Sequence, residues 1–176
     1  PQVAAAFLDV PREMFLPSFA ARHGIEAVYR DDAIVVRRDE SGAPCSSSSQ
    51  PAIMALMLQM LDVASGQRVL EIGAGTGYNA ALLERLVGPD GFVVTVDVTY
   101  DISHSAATAL RGLNSAAAVL VADGRRPVST TVPFDRIEVT ASSDSVPPAW
   151  HAQLAPGGLL VVPLRLDELV DGPHAV

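Results

Sequence analysis

Two acids and a glycine turn carry the most chemistry in this sequence. The turn is Gly73-Ala74-Gly75-Thr76-Gly77. It follows a short β-branched run, Arg68–Ile72, and precedes a stretch with apolar residues at helical spacing, Tyr78–Val87. Glycine there lets a ligand approach the backbone and tolerates the positive φ of a tight turn. The spacing is G-x-G-x-G, and Tyr78 stands where the dinucleotide fingerprint needs a third-spaced glycine. That weakens a nicotinamide reading. Glu71, near the end of the first run, suits a ligand with positive charge and would repel a pyrophosphate. A second apolar run, residues 92–96, ends in Asp97, 20 residues past Gly77. An acid at that place can accept both ribose hydroxyls of an adenosine. Glycine loop, Glu71 and Asp97 together point to S-adenosylmethionine.

The elements that must position these residues alternate. Strands are expected over Arg68–Ile72, 92–96, 117–121, Phe134–Val139 and 159–164, since each is a short apolar run between turn signals. Helices are expected over Pro51–Leu61, Tyr78–Val87, 101–113 and 147–154, the last closed by Pro156-Gly157-Gly158. This is the pattern of an α/β fold with a doubly wound, mostly parallel, Rossmann-like sheet. The marked loops, Gly73 to Gly77, Asp97, Asp123-Gly124 and Thr140 to Ser143, all follow strand C-termini. They should converge on one edge of the sheet.

Ahead of this core, residues 4–8 read as a short helix. Residues 10–17 are bracketed by prolines and should cross the surface with Phe15 and Leu16 inward. Residues 33–37 read as a short strand. Residues 39–49 read as loop, ending in Ser46-Ser47-Ser48-Ser49, either a flexible linker or an ordered helix entry. A serine just upstream is expected to cap the helix that starts at Pro51. The Met-rich stripe of that helix is expected to be core. One domain covers residues 1–176: an N-terminal substrate-side segment (1–50), a cofactor-binding core (51–164) and a tail (165–176).

Composition excludes several classes. The chain has 176 residues, 49% of them hydrophobic, enough for one domain with a sizeable core. Net charge is −8, and every one of the 12 basic residues is Arg, with no basic stripe. That argues against nucleic acid as a partner. No apolar run reaches membrane-spanning length, so no membrane association is expected. Cys45 is the only cysteine, which is compatible with a reducing cytoplasm and excludes an intrachain disulfide. The four histidines are scattered without metal-ligand spacing, and no metal is expected.

Several motifs together resemble the protein-L-isoaspartate O-methyltransferase family, over roughly residues 10–164. They are Val10-Pro11-Arg12-Glu13 with Phe15 and Pro17; Ser49-Gln50-Pro51; Val69-Leu70-Glu71-Ile72-Gly73 with Gly75, Gly77 and Tyr78; Asp123-Gly124; and Pro133-Phe134-Asp135-Arg136-Ile137 with Val139-Thr140-Ala141. Pro147-Pro148, Gln153-Leu154, Gly157-Gly158 and Val162-Pro163 complete the set. The glycine loop is common to many methyltransferases, while Ser-Gln-Pro and Val-Thr-Ala are more specific.

The resemblance implies a class I methyltransferase domain, with S-adenosylmethionine as cofactor and S-adenosylhomocysteine as product. It assigns the substrate carboxylate to Ser49. It assigns the methionine part to Gly73, Ala74, Gly75 and Gly77, the ribose side to Asp97 and Val98, and the adenine to Asp123 and Gly124. Glu71 would orient the loop or face the methionine ammonium. Ser47, Ser48, Gln50, Thr140 and Ala141 would line the substrate mouth. Tyr78 would serve packing or function.

There are departures. The family usually has a glycine-rich lead and Thr-x-Ser before Gln-Pro, whereas here Ser47 stands in the Thr place. The serine run is similar to a branch that esterifies an aspartate of a ribosomally made precursor peptide, and the reading leans that way. A general isoaspartyl repair enzyme, a non-catalytic cofactor or peptide binder, and methylation of a small molecule or RNA are the alternatives. The antiparallel hairpin that usually completes such sheets is expected to be missing, leaving an open edge.

Overall fold

The computed structural model describes residues 1–128 and 133–165. Its centre is a five-stranded sheet of β3 (Arg68–Ile72), β4 (Phe92–Asp97), β5 (Ala118–Val121), β6 (Phe134–Val139) and β7 (Leu154–Val161). The strand order is β5-β4-β3-β6-β7, and every pairing is parallel. The order reverses around β3, so the C-terminal ends of β3, β4 and β6 bound a crevice. The expected tail, beyond Arg165, lies outside the described residues.

Helices cover both faces, which is why β3 is buried along nearly its whole length. Alternation sorts its side chains. Val69 joins a cluster with Leu58 and Leu61 of α4 (Pro51–Leu61) and Leu82 and Leu83 of α5 (Tyr78–Val87). Leu70 and Ile72 face the other way, onto Val94, Val96, Ile137, Val139 and Trp150. Trp150 lies in α7 (Pro148–Ala152) and donates its indole N–H to Gly124 O at 2.7 Å. Between α5 and β5 runs α6 (Tyr100–Gly112), which buries Ser103, Ala106 and Leu110.

The N-terminal segment holds more structure than its sequence suggests. α1 (Gln2–Asp9) is followed by a 3-10 turn over Arg12–Phe15, then by α2 (Pro17–His23) and α3 (Ile25–Val28). Phe15 and Leu16 are buried, as their position between prolines implies. The expected loop over residues 39–49 is instead half of an antiparallel hairpin. β1 (Ile34–Arg38) pairs with β2 (Pro44–Ser48), Ile34 opposite Ser48 and Val35 opposite Ser47. The serine run is therefore a paired strand and not a linker. Serine composition hid this because no apolar alternation marks the strand; its main-chain pairing supplies the order.

Three further expectations are corrected. No serine caps α4. The carboxylate of Asp31, far upstream, accepts from Ala52 N at 2.8 Å and from the Gln50 amide at 2.9 Å. The stripe on α4 is only partly core, since Met54, Leu58 and Leu61 are buried while Ile53, Leu56 and Met60 are exposed. Pro156-Gly157-Gly158 does not close a helix. It forms an irregularity within β7, where Phe134 pairs Leu154 but Arg136 pairs Leu159. A Cβ on Gly158 would meet Asp135 O at 3.0 Å, so only glycine lets the strands approach there.

Candidate functional site

A cleft of about 560 Å³ opens at the C-terminal ends of β3, β4 and β6. That size suits a small-molecule ligand. One wall is the glycine loop, and the other is the serine strand and the residue after it, Ser49. Met54 and Met57 of α4 and Thr140 and Ala141 after β6 complete the lining.

The loop is built by hydrogen bonds from its neighbours. Gly73 and Ala74 donate to Val96 O at 2.8 and 3.0 Å, and Gly77 donates to Ala74 O at 2.8 Å. Gly73 has φ +109, and a Cβ there would lie 2.7 Å from Thr140 Oγ1. Thr140 latches the loop, donating to Gly73 O at 2.6 Å. Asp97 ends β4 beneath it. One carboxylate oxygen accepts from Gly75 N at 3.4 Å and the other from Thr99 N at 3.0 Å. Each oxygen then keeps a lone pair for another donor.

The serine wall is held from below by Arg12. Its guanidinium is buried and donates to Ser49 O at 3.0 Å, Val28 O at 2.9 Å, and Arg30 O, Asp32 O and Ser48 Oγ at 3.3 Å. It also lies 5.9 Å from the Tyr78 ring centroid. Tyr78 is buried edge-on to Phe7, and burial pushes its hydroxyl up to about 12. It lines the cleft while packing beneath it.

A polar row crosses the cleft floor. Thr95 (β4), Glu71 (β3) and Glu138 (β6) sit side by side in register on one face of the sheet. All three are fully buried. Thr95 donates to Glu71 at 2.5 Å, and the Asn79 amide of α5 donates to Glu71 at 2.8 Å and to Glu138 at 2.7 Å. Burial, with the neighbouring Glu138 charge adding to it, pushes Glu71 up to about 8. Burial likewise pushes Glu138 up to about 7. Asn79 and Glu138 were missed in the sequence. The available signal was a carboxylate in the middle of a strand expected to be buried on both faces, which always needs an explanation.

The structure brings together Ser47, Ser48, Ser49, Glu71, Gly73, Ala74, Gly75, Asp97, Val98, Thr140 and Ala141 around this one cleft. Four sequence-marked residues lie apart from its lining. Gln50 is engaged with Asp31. Gly77 begins α5 with φ +86 and packs against Ala106. Asp123 is paired with Arg125 at 3.0 Å, which holds its carboxyl below the usual range. Gly124 lies against Ile72, where a Cβ would clash at 2.4 Å. Among the described residues, no group of His, Cys, Asp and Glu is placed to hold a metal ion, and no helix is long and apolar enough to cross a membrane.

Comparison with known proteins follows the same lines. Residues 1–170 match the family model for protein-L-isoaspartate(D-aspartate) O-methyltransferase. A Thermotoga maritima protein-L-isoaspartate O-methyltransferase is 41% identical over 93% of this chain, and the chain spans 50% of that relative's length. One from Methanopyrus kandleri is 37% identical over 93% of this chain and 69% of its own length. A solved protein-L-isoaspartate O-methyltransferase superposes with TM-score 0.83 at 39% identity, over 93% of this chain and 50% of that one. A Plasmodium falciparum beta-aspartate methyltransferase, solved in complex with S-adenosyl-L-homocysteine, shares the fold with TM-score 0.78 at 20% identity, over 94% of this chain and 77% of that one. The chain spans about half the length of the first of these relatives, yet nearly all of it is matched, and it belongs to the protein-L-isoaspartate(D-aspartate) O-methyltransferase family.

Proposed function

We propose that this chain is a cytoplasmic S-adenosylmethionine-dependent O-methyltransferase that esterifies L-isoaspartyl carboxylates in damaged proteins and peptides. The observation that carries this reading is one cleft with a glycine loop and Asp97 on one side and Ser47, Ser48 and Ser49 on the other. The residues fit the cofactor. Gly73 and Gly75 expose main chain, Asp97 offers two acceptor oxygens, and the lining holds no Lys, Arg or His to repel a cation. Family membership favours general repair over the dedicated precursor peptide, since the matched relatives are named for isoaspartate.

S-adenosylmethionine supplies an electrophilic methyl on a sulfonium. A solution carboxylate has pKa near 4, so it arrives ionised at neutral pH and needs no general base. The work left to the protein is alignment, which can supply up to roughly 7–11 kcal/mol. Ser49 hydrogen-bonds the substrate carboxylate and aims one oxygen. Arg12 fixes Ser49 through its carbonyl, and Ser49 lines the cleft. The peptide approaches along a neighbouring groove of about 770 Å³, which shares Ser46, Gly75, Thr76 and Ile102 with the cleft. Phe19 and Val36 give that groove apolar surface, and Arg22 and Arg37 give it positive charge for an acidic residue.

The test uses methyl-labelled S-adenosylmethionine and two peptides of one sequence, one with aspartate and one with isoaspartate. Base-labile label on the isoaspartyl peptide alone is expected. Label on the aspartyl peptide instead would revive the precursor-peptide reading, and cofactor binding without any transfer would mean a binding domain. Two substitutions divide the labour. Asp97→Ala should weaken S-adenosylhomocysteine binding by roughly 10–100-fold, the size of one hydrogen bond to a charged group. Ser49→Ala should slow turnover by about tenfold or more while leaving calorimetric cofactor affinity nearly intact. Full turnover by Ser49→Ala would remove the aiming role.

A further inference from the structure

Among the described residues, one carboxylate oxygen of Glu138 has no hydrogen-bond partner. Both oxygens of Glu71 are occupied, by Asn79 and by Thr95. One oxygen of Glu138 accepts from Asn79, but Oε1 is buried without a partner among the described residues. The residue is fully buried and lines the cleft. An unpaired buried carboxylate oxygen is expensive, and its retention calls for a partner that arrives from outside the fold.

We propose that Glu138 binds the α-ammonium of the cofactor's methionine end. This rests on the S-adenosylmethionine reading above. The sheet order supports it. Asp97, the ribose acceptor, ends β4 on one side of β3, while Glu138 lies in β6 on the other side. A ligand with its ribose at Asp97 therefore carries its amino-acid end across the glycine loop towards β6. The sulfonium methyl has to face the serine wall, where the substrate carboxylate arrives. The floor beneath is left for the ammonium.

The electrostatics agree. Glu71 of β3 and Asn79 of α5 lie against Glu138, Thr95 of β4 lies beyond Glu71, and Tyr78, Asp97, Ser49, Met54 and Met57 line the same cleft. Among the described residues none of these is cationic, so a bound cation brings positive charge to a floor of carboxylates. Burial alone keeps Glu138 largely protonated up to about pH 7, and an ammonium beside it draws the proton off. Cofactor affinity should then rise with pH through the neutral range.

The test is calorimetry with the full chain and E138Q at about pH 6 and about pH 8.5. The ligands are S-adenosylmethionine, S-adenosylhomocysteine and methylthioadenosine, which lacks the amino-acid end. At the higher pH, E138Q is expected to bind the first two about tenfold or more weaker than wild type, with a much smaller gap at the lower pH. Methylthioadenosine should bind both proteins alike. Unchanged affinities for the first two ligands would overturn the inference and leave the methyltransferase reading standing. A loss confined to S-adenosylmethionine would also overturn it, by moving Glu138 to the sulfonium. Equal loss of methylthioadenosine would make the residue merely structural. Absence of binding by the wild type would overturn both readings. Should E138Q not fold, the wild-type profile decides: S-adenosylhomocysteine must tighten with pH while methylthioadenosine does not.

Discussion

Arg12→Ala should destabilise the protein by roughly 3–5 kcal/mol, the combined scale of two buried carbonyls left without a donor and the void behind them. The side chain is 1% exposed and reaches four main-chain carbonyls and one hydroxyl. Alanine would leave the Val28 and Ser49 carbonyls without their donor, at about 1–3 kcal/mol for each that water cannot reach. It would also open a cavity against Tyr78, adding the usual void penalty. A lysine could not repair this. Its donors radiate from one atom, whereas the guanidinium spreads its own across α3, the chain after it and the end of β2. The functional effect should be lopsided. Arg12 holds the serine wall and touches nothing on the glycine loop, so peptide KM should rise while S-adenosylhomocysteine affinity changes little. Urea unfolding reads the first effect, and kinetics beside calorimetry reads the second. Wild-type stability in Arg12→Ala would show that the serine hairpin is held by its strand pairing alone.

Arg12 also marks where reading the sequence succeeds and where it stops. The central sheet was legible because its parallel strands are short apolar runs, and the crossovers from β3 to β4 and from β4 to β5 carry a helical period in α5 and α6. Gly73, Gly75 and Asp97 were legible because their chemistry is local: a turn, then an acid at the end of the next strand. Arg12 stood out only as part of the Val10-Pro11-Arg12-Glu13 motif, with no role of its own. Its partners lie up to 37 positions away and are mostly carbonyls, which leave no mark in a sequence. The serine strand was hidden for the same reason, since main-chain pairing orders it. Asp31 as the cap of α4 comes from 21 positions upstream, beyond any local capping signature. Asp123 shows a partner that its motif did not announce. An acid at a strand end with the right motif turned out to be engaged with Arg125 beside it, a competition that the Asp-Gly pair alone did not disclose.

Glu71 supplies the other large effect, and it appears as a function of pH. Its carboxyl is fully buried, and its pKa rises from 4.5 in the unfolded chain to about 8 in the folded one. The folded state therefore keeps a proton that the unfolded chain gives up. The stability tied to that proton is fully present below about pH 4.5 and is lost as pH climbs through about 8. Glu138 acts with the same sign over a narrower window, up to about 7. Glu71→Gln imitates the protonated acid, with one acceptor for Asn79 and one donor towards Thr95, whose hydroxyl can turn to accept. Near pH 5.5 the variant and the wild type should be close in stability. Towards pH 9 the wild type should lose roughly 3 kcal/mol relative to the variant, taking 1.36 kcal/mol per pKa unit. Urea unfolding of the cofactor-free protein at the two pH values measures this directly. A stability difference that does not change with pH would mean that Glu71 ionises freely in the fold, and that Thr95 and Asn79 together compensate its burial. Cofactor binding, which favours the ionised Glu138, should run in the opposite direction along the same pH axis. The chain would then be most stable when empty in mild acid and best able to hold its cofactor above neutrality, because the same buried carboxyls that favour a proton in the empty cleft favour a cation when it is filled.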